Sequence, residues 1–175
     1  IQAVGIGSIT DSLSALKDVV YERGEVSLPG LVGILDADFT GQEPLRQRLL
    51  NKTHKYGNDD DYADALMTRT FRMLFEAIDG RPNTKGGAYR LEMLPTTCHV
   101  YFGEVCLASA DGRGEGQPVS EGISPVQGAD RHGPTAVLKS ASKMDHVKTG
   151  GTLLNMKFTP SLLEGDGGID NLHSL

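Results

Sequence analysis

The 175-residue sequence predicts an α/β fold, and three observations carry that prediction. Apolar residues recur at helical spacing through the first half, most clearly in DDDYADALMTRTFRMLFEAIDG (59–80). β-forming residues then take over in AYRLEMLPTTCHVYFGEVCLAS (88–109), where Tyr89, Leu91 and Met93 alternate with other residues. Beyond a glycine-rich loop, the helix-like PTAVLKSASKMDH (134–146) is followed by a short apolar strand candidate, GTLLNMKFTP (151–160). Strands that alternate with helices are the pattern of an α/β unit.

The elements follow in order. SITDSLSALKDVVYERG (8–24) reads as a helix: Ser8 with Asp11 resembles a capping box, Leu13, Leu16 and Val20 share a face, and Gly24 stops it. Residues 26–39, interrupted by Pro29, Gly30 and Gly33, read as irregular or as a broken short helix. Thr40 with Glu43 marks a second cap, and the helix it opens runs to about Lys52. In 59–80, Tyr62, Leu66, Thr70, Leu74 and Ile78 fall at four-residue steps beside Ala63, Met67, Phe71 and Phe75, and Gly80 ends the pattern. After the polar turn GRPNTKGG, alternation continues at Val100 and Phe102, with Pro95 expected to break the ladder between the two runs. Residues 110–133 form a long loop by composition, and Pro134 stands near the first turn of the next helix.

Composition excludes several classes. A hydrophobic fraction of 38% and a charged fraction of 23% are those of a folded globular domain with a core of its own. The net charge of −6, with no Lys/Arg cluster, argues against nucleic acid as a partner. No apolar run approaches the length needed to span a membrane, so no membrane partner is expected. Cys98 and Cys106 make no CxxC pair and no disulfide framework, which points to a reducing, cytoplasmic setting. Ile1 opens inside an apolar run and Leu175 closes inside a helical pattern, so the chain reads as part of a longer protein.

Spacing alone names no reaction. EGISPVQGADRHGPTAVLKSASKMDH (121–146) contains neither GxGxxG nor GxxxxGK[ST], and Pro134 removes one of the backbone donors that an anion would use at the helix start. Asp130, His132, Asp145 and His146 are metal ligands by type, but their spacing fits no standard site. Asp59, Asp60, Asp61 and Asp64 lack EF-hand spacing and suit the first turn of a helix, where the dipole favours carboxylates. Cys98 neighbours His99, but in a strand adjacent residues face opposite sides, so the pair is not expected to work as nucleophile and base. No catalytic residue and no metal ligand is assigned.

Several blocks carry a resemblance instead. HKYGNDDDYAD (54–64), DGR (111–113), EGISPVQGADRHGPTAVLKSASKMDH (121–146) and GGTLLNMKF (150–158) are similar, in the same order, to blocks of the glycyl radical enzymes, the family of pyruvate formate-lyase. AVGIGSITDSLSALK resembles the helix that opens this portion, so the likeness spans essentially residues 1–175. It implies one segment, from the C-terminal half, of a ten-stranded α/β barrel that encloses two finger loops. The cysteine loop (Gly-Cys-Val-Glu in many members) should lie upstream, and the radical-glycine loop, resembling Arg-Val-Ala-Gly-Tyr, downstream. Neither motif occurs here, so Cys98 and Cys106 do not inherit the thiyl role and the segment alone is expected to be inactive.

The resemblance implies that the parent is a glycyl radical lyase of anaerobic metabolism. LDADFTGQEPLRQRLLNKTHKYGNDDDYAD and GGAYRLEMLPTTCHVYFGEV look closest to the dehydratase-type branch. Its members eliminate water from a diol, glycerol or hydroxyproline by thiyl-radical hydrogen abstraction. The alternatives are a C–C-cleaving member (formate acetyltransferase or arylacetate decarboxylase) and a fragment with no activity of its own. The implied partners are a small polar organic substrate, a second copy in a homodimer, and an activating enzyme that uses S-adenosylmethionine and an iron–sulfur cluster to install the radical. No bound cofactor or metal is implied for this segment. The strand matching MLPTT lines the substrate cavity in the relatives, which makes Pro95 and Thr96 the candidate substrate-contacting residues.

Overall fold

The computed structural model describes residues 1–94 and 97–173; Pro95 and Thr96 lie outside the described residues. Within these limits seven α-helices follow one another, and no stretch forms a continuous strand. The strand expected at 89–94 exists as a short extended segment, hydrogen-bonded on both sides. Ala3 N–H donates to the Glu92 carbonyl and Glu92 N–H to the Ile1 carbonyl, each at 2.9 Å. On the other side Met93 N–H donates to Gly151 (2.9 Å) and Leu153 N–H to Met93 (3.1 Å). Both pairings are parallel, Gln2 with Glu92 and Met93 with Thr152. Parallel neighbours reached through long helical connections are the arrangement of a barrel wall.

Helix α1 (Ile6–Ala15) starts after Gly5, whose φ of 85° suits glycine, and not at Ser8. The expected capping box does not form because both side chains have distant, buried partners. Ser8 and Ser120 exchange two hydrogen bonds at 3.1 and 2.9 Å. Asp11 accepts the Tyr56 N–H at 2.8 Å. The helix widens into a π-helical segment, Leu16–Glu22, with Val19 fully buried and Leu16 and Val20 partly so.

The segment expected to be irregular is helix α2 (Leu28–Asp36): Ser27 caps it through Gly30 N–H, and Pro29 sits in the first turn, where its missing N–H leaves no bond unmade. Asp38 and Phe39 then take left-handed backbone angles, and Gln42, not Thr40, precedes helix α3 (Glu43–Asn51). Helix α4 (Asp61–Ile78) follows its expectation, with Asp60 accepting the Tyr62 N–H at 3.0 Å and Ala63, Met67 and Phe71 buried.

Helix α5 (Cys98–Glu104) overturns the strand expected from the alternation of Val100 and Phe102. A helix satisfies its backbone groups internally, and Gly103 lets this one approach the 117–118 backbone, where a Cβ would stand 2.4 Å from the Gln117 carbonyl oxygen. Tyr101 and Phe102 remain exposed. Residues 109–133 hold no helix, and helix α6 (Pro134–Ser142) begins at Pro134 as expected. Helix α7 (Gly168–His173) comes last.

Two cores result. Ile6, Tyr56, Met67, Phe71, Leu91, Met93 and Ile123 bring α1, α4 and the paired segment together. Ala15, Val19, Leu31, Phe39 and Leu49 pack α1 and the π-helical segment against α2 and α3.

Candidate functional site

A cavity of about 1260 Å³ opens between α1, the start of α5 and the 109–133 loop. Asp11, Lys55, His99, Asp111, Arg113 and Glu121 stand on its walls. His99 and Val100 belong to the first turn of α5, shortly after Pro95 and Thr96 in the chain.

Local sequence explains how the loop wall is built. Asp111 accepts from Ser109 Oγ (2.5 Å) and from Arg113 N–H (3.3 Å), which closes the DGR block into a tight turn. The buried Arg113 guanidinium then donates to the carbonyls of Leu107, Gly114 (3.1 Å) and Gln117 (2.7 Å) and to Ser109 Oγ (3.1 Å). Five donors on one planar group suit a loop that lacks regular backbone pairing. The DGR block is therefore a loop former.

At the floor, Lys55 Nζ donates to the Asp111 carbonyl at 3.0 Å and lies 4.0 Å from Asp11 Oδ2. Asp11 is wholly buried, and neither its Oδ2 nor Asp111 Oδ2 meets a donor among the described residues. Burial pushes the Asp11 carboxyl up to about 7, against the opposing pull of Lys55 and the Tyr56 N–H. Burial also lowers the Lys55 ammonium from the ordinary lysine value, against the attraction of Asp11 and Asp111. Desolvation thus drives both members of the pair towards their neutral forms. His99 approaches Glu121 at 4.0 Å on another wall.

The sequence candidates are dispersed. Asp130 and Asp145 are exposed, and Asp145 pairs with Lys148 at 3.3 Å. His132 Nδ1 meets the Asn58 carbonyl at 3.1 Å. His146 Nε2 donates to the Ala141 carbonyl at 2.9 Å, and its Nδ1 lies 3.2 Å from Thr152 Oγ1. Among the described residues no His, Cys, Asp or Glu cluster has metal-site geometry. Cys98 and Cys106 are free, half-buried thiols; Cys98 opens α5 and Cys106 follows its C-cap, Val105. Cys98 and His99 lie on a helix, so the strand-face argument does not apply; His99 faces Glu121. Sequence reasoning missed Asp11 and Lys55. Their only signal is that both fall inside blocks of the resemblance, since they stand 44 positions apart, at 11 and 55.

Comparison with known proteins places this framework. Residues 1–103 match the family model described as pyruvate formate lyase-like, and residues 119–175 match the glycine radical model. The chain belongs to the pyruvate formate lyase-like family of glycyl radical enzymes. It is 54% identical over 175 residues to the trans-4-hydroxy-L-proline dehydratase of Clostridioides difficile, covering 100% of this chain and 22% of that protein. It is 39% identical over 175 residues to the isethionate sulfite-lyase of Desulfovibrio desulfuricans, covering 98% of this chain and 21% of the relative.

The solved hydroxyproline dehydratase from Clostridioides difficile, with trans-4-hydroxy-L-proline bound, superimposes with a TM-score of 0.93 at 54% identity, over 99% of this chain and 22% of that one. The glycerol-bound glycerol dehydratase from Clostridium butyricum gives 0.91 at 39% identity, over 99% and 22%. These neighbours are glycyl radical enzyme barrel proteins, so the expected fold class holds although the described part of this chain is mostly helical. The chain spans about a fifth of the length of the curated relatives it matches.

Proposed function

We propose that this chain is a framework segment of a glycyl radical dehydratase that eliminates water from a small hydroxylated substrate. The 54% identity to a trans-4-hydroxy-L-proline dehydratase along the whole chain, with a TM-score of 0.93, carries the reading. The glycine radical match over residues 119–175 supports a glycyl radical as the organic cofactor. That group supplies the hydrogen-abstracting chemistry when present. The residues here do not hold it: Cys98 and Cys106 stand outside a Gly-Cys-Val-Glu setting, and no glycine stands in an Arg-Val-Ala-Gly-Tyr setting. The radical glycine and the thiyl cysteine accordingly belong to other parts of the parent, and the 175-residue segment alone is inactive. An activating enzyme that uses S-adenosylmethionine installs the radical, in the cytoplasm, on a homodimeric parent.

This chain's own contribution is a wall of the substrate cavity. Pro95 and Thr96 are the substrate contacts in this reading, and they connect the doubly paired 91–93 segment to the helix whose first turn borders the cleft. Thr96 offers one hydroxyl to a substrate hydroxyl or carboxylate.

The test is anaerobic turnover by the activated full-length protein with trans-4-hydroxy-L-proline, glycerol, propane-1,2-diol, isethionate and an arylacetate in parallel. Water loss from a hydroxylated substrate supports the proposal. Sulfite release from isethionate alone favours a C–S lyase, a reading to which the 39% identity with a sulfite-lyase gives weight. Carbon dioxide release from the arylacetate alone contradicts both.

A further inference from the structure

A polar seam joins the two family-matched segments, besides the Ser8–Ser120 pair and the backbone pairing of Met93 with Gly151 and Leu153. The block Tyr56–Asp64 supplies one side of it, and residues 123–143 supply the other. Tyr56 OH donates to the Ile123 carbonyl at 2.8 Å. Asn58 donates to the Ala129 carbonyl (2.8 Å) and accepts from the N–H groups of Arg131 (2.7 Å) and His132 (3.1 Å). Ser140 Oγ accepts from Asp59 N–H and donates to Asp64 Oδ2, both at 2.9 Å. Every one of these bonds joins a residue within 1–103 to a residue within 119–175.

At the centre stands Lys143. Its ammonium reaches Asp59 Oδ1 at 3.2 Å, Asp61 Oδ1 at 2.8 Å and Asp64 Oδ2 at 2.7 Å. The three contacts are not equivalent. The Asp61 side chain is 95% exposed, so water competes with the lysine and that contact contributes little. The Asp64 side chain is 0% exposed, and its other oxygen meets no donor among the described residues. Without Lys143 a buried carboxylate would keep only the Ser140 hydroxyl, a costly arrangement. Asp59 adds a second constraint: its φ of 54° is left-handed, and that conformation aims its N–H at Ser140 and its carboxylate at Lys143 and Lys139. A strained residue on one side is thus held by three side chains from the other, Ser140, Lys143 and Lys139.

We infer that Lys143, with Ser140, is the positioning pair that fixes the register of the glycine-radical-matched segment on the pyruvate formate lyase-like segment, by supplying the positive charge and the hydroxyl that Asp64 and Asp59 require. The inference goes beyond the proposed reaction and does not depend on which substrate the parent uses. Helix α6 is the element so fixed, and the 121–133 loop, held by Tyr56 and Asn58, follows it.

Hydrogen exchange followed by mass spectrometry on the full-length protein reads this directly. Lys143→Met keeps the aliphatic stem and removes the charge. Exchange should rise roughly tenfold or more in peptides covering 56–60 and 121–146, the size expected when hydrogen bonds to a charged group are lost. Peptides of α2 and α3, in the other core, should be unchanged. Lys143→Arg should restore most of the protection, because the charge is regained. A purely space-filling role would leave Met protected and Arg disturbed. If Lys143→Met does not fold, Ser140→Ala and Asp64→Asn carry the test, each expected to loosen the same two regions. The inference is overturned by a uniform rise across all peptides, by no rise in 121–146, or by failure of Arg to restore protection.

Discussion

Asp11→Asn should remove a pH dependence that the wild-type chain carries. The Asp11 carboxyl sits at about 7 because burial disfavours its charged form. An ordinary aspartate titrates near pH 4, so between about pH 4 and pH 7 the folded chain holds a proton that the unfolded chain has released. The folded state binds more protons in that window, and stability therefore falls as pH rises. The contribution is fully present below about pH 4 and is lost by about pH 7, at about 1.4 kcal/mol per pH unit and roughly 4 kcal/mol in all.

The asparagine side chain keeps the acceptor for the Tyr56 N–H and cannot ionise. Asp64, also raised, first by burial, slopes in the same direction but is present in both proteins and cancels in the difference. Lys55, lowered by burial, slopes the opposite way and acts on the alkaline side of the window. The assay is urea unfolding at pH 5, 6, 7 and 8, comparing midpoints. Wild type should lose stability from pH 5 to pH 7, and Asp11→Asn should be markedly flatter. Parallel curves for the two proteins would refute the assignment of a buried, neutralised Asp11.

The other predictions concern packing and substrate. Tyr56→Phe leaves the buried Ile123 carbonyl without its donor and should cost about 1–3 kcal/mol in urea unfolding. Gly103→Ala places a methyl 2.4 Å from the Gln117 carbonyl oxygen, a backbone atom, and should cost about 1–3 kcal/mol by the same measurement; a neutral result would mean that α5 and the 117–118 backbone are not in contact. In the full-length protein Thr96→Val should weaken substrate use by a hydroxyl hydrogen bond, roughly 0.5–1.5 kcal/mol, or about two- to tenfold in kcat/KM, with radical yield unchanged. Equal turnover would remove Thr96 from the site.

Legibility in the sequence tracked the range of the interactions. Helix α4 was readable because its buried residues Ala63, Met67 and Phe71 repeat every four positions and Asp60 caps it locally. Helix α6 was readable from Pro134 in its first turn. Alternation at Val100 and Phe102 misled, because those side chains are exposed on a short helix and report no pleat. Ser8 and Asp11 resemble a cap only while their partners, Ser120 and Tyr56, are unknown. The acidic run 59–64 reads as a dipole partner for α4, but Asp64 meets Lys143 across 79 positions, a distance no local pattern encodes. The barrel-type parallel pairing was equally invisible to periodicity, since 91–93 is too short; the resemblance across the blocks carried it.

Electron paramagnetic resonance after anaerobic activation tests the central claim most directly. The account predicts a glycyl radical doublet on the full-length protein, lost or turned over productively with a hydroxylated substrate, and no doublet on the 175-residue chain treated in the same way. A doublet on the 175-residue chain, or none on the full-length protein under conditions that activate a known glycyl radical dehydratase, would contradict it.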